Sequence, residues 1–291
     1  MKNIIIDEKI IISLTTIPSR LEHIIPVIDS IKNQTILPDE IVLVLPLTSF
    51  REQKEINKDP YIISERIHNY IIDNNITLLR PEKDYGPIMK LLSVLLREKE
   101  NNSNNIIISI DDDKIYFNNT LEDLLNGYKR NNCVCARKGS ILNFYLNKNS
   151  ENNINNINAR EQVLRSADLI EDKQINVVFG TGGVLYKPSF FNDNIMEEIC
   201  KLPNEAFYVD DAVISIFLMK NNIKMILVKS IKNDFQKKYD HGRYGIMDRS
   251  TISQNINRLA VLNYKNNNNV VVVNYFKKNI CEYIEHYKLF I

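Results

Sequence analysis

Three consecutive aspartates, Asp111, Asp112 and Asp113, end an apolar run that begins at Ile106. Carboxylates this close repel one another, and burial raises their pKa values unless a cation is supplied. Two arrangements satisfy the charge: a turn open to water, or a bound divalent ion. Mg2+ and Mn2+ take carboxylate oxygens, usually one or two from protein, with phosphate and water completing the shell. In a D-x-D at a strand end alternate carboxylates point the same way, so Asp111 and Asp113 share one side and Asp112 turns elsewhere. A second acidic pair, Asp210 and Asp211, opens the helical pattern "VDDAVISIFLMKNN". It either complements the helix dipole or supplies a general base. The chain has four histidines, His23, His68, His241 and His286. His23 and His68 fall in amphipathic helical patterns and read as packing or surface residues. His241 lies in "YDHGRYG", where its imidazole could meet a metal and Arg243 a leaving anion, or where both sit in an ordinary flexible turn.

The elements that must position these groups alternate. "KIIISLTTI", "DEIVLVLP", "ITLLR" and "NIIISI" read as strands. Between them "SRLEHIIPVIDSIKNQ", with Ser19 as N-cap, "SERIHNYIIDN" and "GPIMKLLSVLLREKE", opened by Pro87, carry apolar residues at helical spacing. Such repetition predicts an α/β fold, a mainly parallel sheet flanked by helices, and ligands in such sheets bind beyond the carboxyl ends of the strands. Asp111–Asp113 occupy one of those ends. Further on, "TLEDLLNGYKR" and "VDDAVISIFLMKNN" read as helices, "NCVCA" and "KMILV" as strands, and "NVVFGTGGVLYKPSFF" as a strand with a glycine-rich bend. The strand following the bend argues against a dinucleotide fingerprint. The Asn-rich stretch 147–158 reads as a mobile insertion, and "NNNNVVVVNYF" ends the fold or makes a partner contact such as a homodimer interface. No repeat or clean linker divides the chain, so 1–291 is expected to be one domain. Its nucleotide-binding half would span about 1–116, its acceptor-side half about 117–250 and its tail about 251–291.

Composition narrows the function classes. The 291 residues carry 37 Lys plus Arg against 36 Asp plus Glu, a net charge of +1, with no long basic stripe, so nucleic acid is not expected as a partner. No segment has the roughly 18 uninterrupted apolar residues of a membrane span, and the start makes a poor signal peptide. Cys133, Cys135, Cys200 and Cys281 form no CxxC pair and read as free thiols in a reducing compartment, which suggests a soluble cytoplasmic protein. The abundance of Ile, Asn and Lys is that of an AT-rich genome, as in some giant viruses and protists.

Taken in order, "SLTTIPSR", "DYGPIMKL", "DDD", "GTGGVLY" and "VDDAVIS" resemble the nucleotide-sugar glycosyltransferases of the GT-A type over about residues 10–245. The resemblance implies a UDP-sugar donor and Mn2+ or Mg2+. It implies contacts to uridine and ribose from Thr16 and Arg20, with Arg20 also in reach of a phosphate, and a donor contact from Lys90. Asp111 would face ribose or reach the metal through water, Asp112 would lie beside the donor, and Asp113 would ligate the metal directly, with His241 as a third ligand and Arg243 on the diphosphate. Gly182 and Gly183 would line the donor-sugar and acceptor pocket. In relatives that invert configuration the second acid of the later pair is the general base, which implies Asp211 for that role and Asp210 on sugar hydroxyls. The implied reaction moves a hexose, from UDP-glucose or UDP-galactose, to a hydroxyl of a protein or glycan acceptor. For a viral source acting in the host cytoplasm, a collagen-like protein would be such an acceptor.

Two other classes fit parts of the pattern. A haloacid-dehalogenase-type phosphatase also needs an apolar strand ending in D-x-D, with Asp111 as nucleophile. That family wants Thr or Val where this chain has Ile115, and its later acidic pair closes a strand rather than opening a helix. A catalytically inactive transferase fold, used as a binding module, would use the 14 tyrosines and the apolar tail as an interface. Retention of the three aspartates and Asp211 weighs against it. A sugar-nucleotide-forming nucleotidyltransferase lacks support, because the N-terminal loop has no glycine-rich basic signature.

Overall fold

The computed structural model of the chain describes residues 8–50, 52, 58–146, 157–202 and 210–231. The first four strands, β1 (Ile10–Thr15), β2 (Glu40–Val44), β3 (Thr77–Leu79) and β4 (Ile106–Ser109), run parallel. Helices α1 (Ile25–Lys32), α2 (Glu65–Asp73) and α3 (Met89–Glu100) make the crossovers between them. Then come α4 (Thr120–Asn131), β5 (Val134–Ala136), β6 (Lys138–Leu146), β7 (Ile157–Arg165), β8 (Lys173–Gln174), β9 (Val177–Val178) and β10 (Val184–Tyr186). Helices α5 (Ile195–Cys200) and α6 (Asp210–Lys220) and strand β11 (Met225–Leu227) complete the described part.

Among the described residues, eight strands form one sheet in the order β3-β2-β1-β4-β10-β5-β11-β8. β10 lies antiparallel between β4 and β5, and β8 runs antiparallel along β11. The fold is therefore α/β with a mainly parallel sheet flanked by helices, as the strand–helix alternation predicts. A second sheet of three strands, β7-β6-β9, stands beside it. Its β6–β7 hairpin, which pairs in register from Lys138↔Arg165 to Leu146↔Ile157, was not foreseen from the sequence.

Successive side chains of a strand point to opposite faces, and both faces of this sheet are covered. Ile11, Val42, Val44, Ile107 and Val184 pack with α3, α5 and α6, whereas Ile10, Ile12, Leu14, Leu43, Ile106 and Ile108 pack with α1, α2 and α4. Continuous isoleucine runs are the pattern of a strand buried on both sides.

The register of the first four strands creates the site. From β1 the chain works outward through β2 to β3, then returns to place β4 on the other side of β1. The order reverses between β1 and β4, and in open α/β sheets ligands bind outside the carboxyl ends of the strands at such a point. Thr16 and Arg20 follow β1, and Asp111–Asp113 follow β4.

One local expectation is corrected. Ser19 does not cap a helix: Pro18–His23 forms a short 3-10 turn, and α1 begins only at Ile25. Both the backbone N–H and the hydroxyl of Ser19 donate instead to Glu52, at 2.8 and 2.7 Å. Proline fixes the backbone just before Ser19, and the Ser19 hydroxyl donates to a nearby carboxylate, a charge-assisted bond, instead of accepting from the N–H groups of a helix end.

Candidate active site

Asp112 ties the two strand ends together. Thr16 Oγ1 donates to its Oδ2 at 2.5 Å and Arg20 Nη1 to its Oδ1 at 3.1 Å. Burial pushes its carboxyl above the ordinary value even with Arg20 beside it. Tyr61 fixes the same loop by donating its hydroxyl to the Thr16 carbonyl at 2.7 Å. The middle aspartate therefore turns toward the loop after β1, bonded to Thr16 and Arg20 rather than open to solvent.

Asp111 turns the other way. Its backbone N–H donates to the buried Tyr116 hydroxyl at 2.8 Å, closing the turn after β4. Its Oδ1 accepts from Lys90 Nζ at 2.7 Å. Lys90 sits in the first turn of α3 and is only 5% exposed. Its ammonium also lies 2.7 Å from Asp210 Oδ2, a contact of charge without hydrogen-bond alignment. Burial works against both charges of the Lys90–Asp111 pair, but the carboxylates around Lys90 hold its ammonium well above the ordinary range and Lys90 holds Asp111 below its own.

The glycine-rich bend closes over this group. Gly180–Gly182 is a 3-10 turn, and Gly183 takes φ +80°, a conformation open to glycine. A Cβ on Gly180 would lie 2.8 Å from Lys90 Nζ and 2.9 Å from Asp111 Oδ1, so this position admits no side chain while the ion pair stands. The Gly180 N–H donates to Asp211 Oδ1 at 2.9 Å. Asp210, 8% exposed, and Asp211, half-buried, form the first turn of α6, and Ser215 anchors that turn by donating to the Asp211 carbonyl at 2.6 Å. Burial, then the charge of Asp210, pushes the Asp211 carboxyl up to about 8. An acid held near the working pH exchanges protons readily with a substrate hydroxyl.

Residues far apart in the sequence thus meet: Lys90, Asp111, Gly180, Asp210 and Asp211 form one cluster at the end of β4, joined through the aspartate triplet to Thr16 and Arg20. Gly182 packs against the turn from β5 to β6, where its Cβ would come within 2.8 Å of the Lys138 backbone nitrogen. Asp113 stands at the rim with Lys114 Nζ 2.8 Å from its Oδ1. His241 and Arg243 lie outside the described residues, and so does most of the Asn-rich stretch 147–158. His23 and His68 are exposed.

The carboxylates fit one mode of metal binding and not another. No three His, Cys, Asp or Glu side chains among the described residues converge as a metal cage, and Asp111 already shares the Lys90 charge. Asp111 and Asp113 suit an ion held by one or two carboxylates and completed by phosphate oxygens. The acidic pair opens α6 rather than closing a strand, unlike the phosphatase pattern. Sequence reasoning did not find Lys90 as the bridge between Asp111 and Asp210. Nor did it single out the buried Asp123–Arg137 pair, 3.1 Å apart, which braces α4 against the end of β5.

No known family model matches the sequence, and no curated protein matches it. Solved structures do. S. aureus TarS 1-349 superposes with TM-score 0.44 at 15% identity, covering 75% of this chain and 57% of its own. The same protein in complex with UDP gives 0.42 at 14%, with the same shares. A 4-diphosphocytidyl-2C-methyl-D-erythritol synthase gives 0.44 at 6%, covering 77% of this chain and 91% of its own. The chain spans little more than half the length of TarS 1-349. At such identities the likeness is one of chain path, and the chemistry has to come from this chain's own residues. Among the described residues no helix is long and apolar enough to cross a membrane.

Proposed function

We propose that the protein transfers a hexose from a UDP-sugar, UDP-glucose or UDP-galactose, to a hydroxyl of a protein or glycan acceptor. The observation that carries this reading is the cluster at Gly180, where the strand-end Asp111 and the helix-start Asp210 and Asp211 meet around one buried lysine. In this scheme Thr16 and Arg20, beside Asp112 at the carboxyl ends of β1 and β4, hold the nucleoside and orient it. Asp111 and Asp113 would hold Mn2+ or Mg2+, which when bound offsets the charge of the leaving diphosphate as a Lewis acid. Lys90 pairs with Asp111 and Asp210, and Asp211 is the acid that would take the proton of the acceptor hydroxyl. The Gly180 N–H fixes one Asp211 oxygen and leaves the other for the acceptor hydroxyl. Arg243 would add positive charge near the diphosphate and His241 a neutral metal ligand.

Calorimetry of UDP binding with Mn2+ and with EDTA tests the reading, together with UDP release from UDP-glucose and UDP-galactose. Binding that requires Mn2+ is expected, since diphosphate and carboxylates repel without a cation between them. Equal affinity in EDTA sinks the metal bridge, and no binding in either condition sinks the transferase reading.

A further inference from the structure

Two hydroxyl groups beside the carboxylate cluster have hydrogen-bonding capacity that the described residues do not use. Thr181 follows Gly180 in the glycine bend, and its buried Oγ1 has no hydrogen-bond partner among the described residues. Tyr116, only 7% exposed, accepts the Asp111 N–H at 2.8 Å, which leaves its own hydroxyl proton to be given. A buried hydroxyl with unused capacity costs free energy, and in native structures water or a ligand meets such a group. Both residues line one cleft, between the turn after β4 and the glycine bend. Ile115 and Ala167 add apolar wall to it. Apolar walls with a few placed polar groups are the make-up of a small-molecule site.

The two hydroxyls are tied to the proposed reaction centre. Tyr116 holds the backbone of Asp111, and the Gly180 N–H, one residue before Thr181, donates to Asp211. The cleft also carries cations, but their charge is taken. Lys114 pairs with Asp113 at 2.8 Å and Arg137 with Asp123 at 3.1 Å, and Lys138 and Arg165 are engaged as well. An anion would compete with those partners for the cations. A neutral hydroxyl meets Tyr116 and Thr181, which have a bond to spare.

Resting on the transferase reading, we propose that Tyr116 and Thr181 hold the acceptor by hydrogen bonds, and that this acceptor is an uncharged sugar. Tyr116 donates to one sugar oxygen, and Thr181, able to donate and to accept, meets a second.

Ligand-observed NMR titrations in EDTA, without UDP, test it with methyl glucoside and methyl galactoside, and with methyl glucuronide as the charged control. Saturable binding of a neutral glycoside is expected, no weaker than that of the glucuronide. Thr181→Val keeps the shape of the side chain and removes the hydroxyl, so it should weaken that binding about 3–10-fold, the equivalent of one neutral hydrogen bond. Thr181→Ser should restore it. Because Thr181 Oγ1 has no partner among the described residues, the Val variant should melt no lower than the unaltered protein, and its UDP affinity with Mn2+ should not change. Tyr116→Phe should weaken glycoside binding too, with a lower melting temperature, because the Asp111 N–H then loses its acceptor. Absence of binding by both neutral glycosides overturns the proposal, and so does tighter binding of the glucuronide. Undiminished glycoside binding by Thr181→Val overturns it, and a lower melting temperature of that variant does the same, since the hydroxyl then has a structural role. Loss of UDP binding by Thr181→Val also overturns it, because the cleft then belongs to the donor. If the unaltered protein binds no UDP, the transferase reading fails and the cleft loses its role as acceptor subsite, while the NMR arms still decide whether Tyr116 and Thr181 hold neutral sugars.

Discussion

Replacing Lys90 by Met removes the one cation that the structure places between Asp111 and Asp210, at 2.7 Å from each. Two unit charges at that distance attract by about 6 kcal/mol in an effective dielectric of about 20, so the two contacts contribute about 12 kcal/mol, less at least about 3 kcal/mol for the repulsion between the two carboxylates, before desolvation. Burying an ammonium and two carboxylates offsets several kcal/mol per ion, and breaking such a site by removing one partner costs about 3–5 kcal/mol. Urea unfolding of Lys90→Met at pH 7 in EDTA is expected to show a loss of that size. The loss should depend on pH. Lys90 is held above its ordinary 10.5, so its contribution is complete at pH 7 and fades only as pH rises through its folded value. Asp111 is held below 3.8, so its contribution is present above about pH 4 and is lost as pH falls through its folded value. In the variant the uncompensated carboxylates take up protons more readily, and the gap from the unaltered protein should narrow from pH 7 toward pH 4. Millimolar Mn2+, binding only the folded state, should restore the variant more than it stabilises the unaltered protein. A loss under about 1 kcal/mol at pH 7, or one that stays constant with pH, would refute the reasoning.

Asp211→Asn should leave Mn2+-dependent UDP binding nearly intact and lower turnover by about 10²–10⁴-fold, as loss of a general base does; loss of UDP binding with turnover preserved would reverse its role. Because the Asp211 carboxyl is held at about 8 against an ordinary 3.8, the folded state gives up stability through this group as pH rises from about 4 to 8. The Asn variant should therefore gain stability on the unaltered protein by more than about 1 kcal/mol between pH 5 and pH 8 in EDTA, at about 1.4 kcal/mol per pKa unit; unfolding curves at the two pH values check this. Gly180→Ala pushes a methyl against Lys90 and Asp111 and should cost about 1–3 kcal/mol, with UDP release slowed in parallel. Arg20→Gln removes a donor from Asp112 and should weaken UDP binding about 10-fold, the equivalent of one charge-assisted hydrogen bond; unchanged calorimetry would detach Arg20 from the nucleotide.

The isoleucine-rich strands could be read from the sequence because burial on two faces leaves an unbroken apolar run, and α3 because its apolar positions repeat at helical spacing. The aspartate triplet and the acidic pair were visible as residue types, but the hydrogen bonds of Asp112 to Thr16 and Arg20 were not. Lys90 was visible as a lysine near a helix start, to which the resemblance assigned a donor contact rather than a place between two carboxylates. Its burial between Asp111 and Asp210 depends on α6 returning to the same strand end, and nothing in the local pattern records that return. Strand direction is equally silent: "GVLY" reads as a strand, but its antiparallel place between β4 and β5 is set by tertiary packing. The β6–β7 hairpin escaped notice because its strands flank an asparagine-rich stretch that carries no alternating pattern. Ser19 misled because a serine beside a proline has the composition of a helix start, while its partner, Glu52, is 33 residues away.

The placement of β10 also sets an order of assembly during synthesis. β4 and β5 are separated by one helix in the chain, yet they never touch, because β10 lies between them. Until residue 186 has left the ribosome, the half-sheet β3-β2-β1-β4 keeps an open edge along the isoleucines of β4, and β5 has no strand to join it there. The segment leading into the same strand brings Gly180 over Asp111. The strand that joins the two halves of the sheet and the glycine bend over the site thus arrive together, so a chain arrested before residue 184 should expose a sticky edge strand and a solvated aspartate triplet at once. Stalled-chain proteolysis would show protection of β4 and burial of the site appearing at the same length.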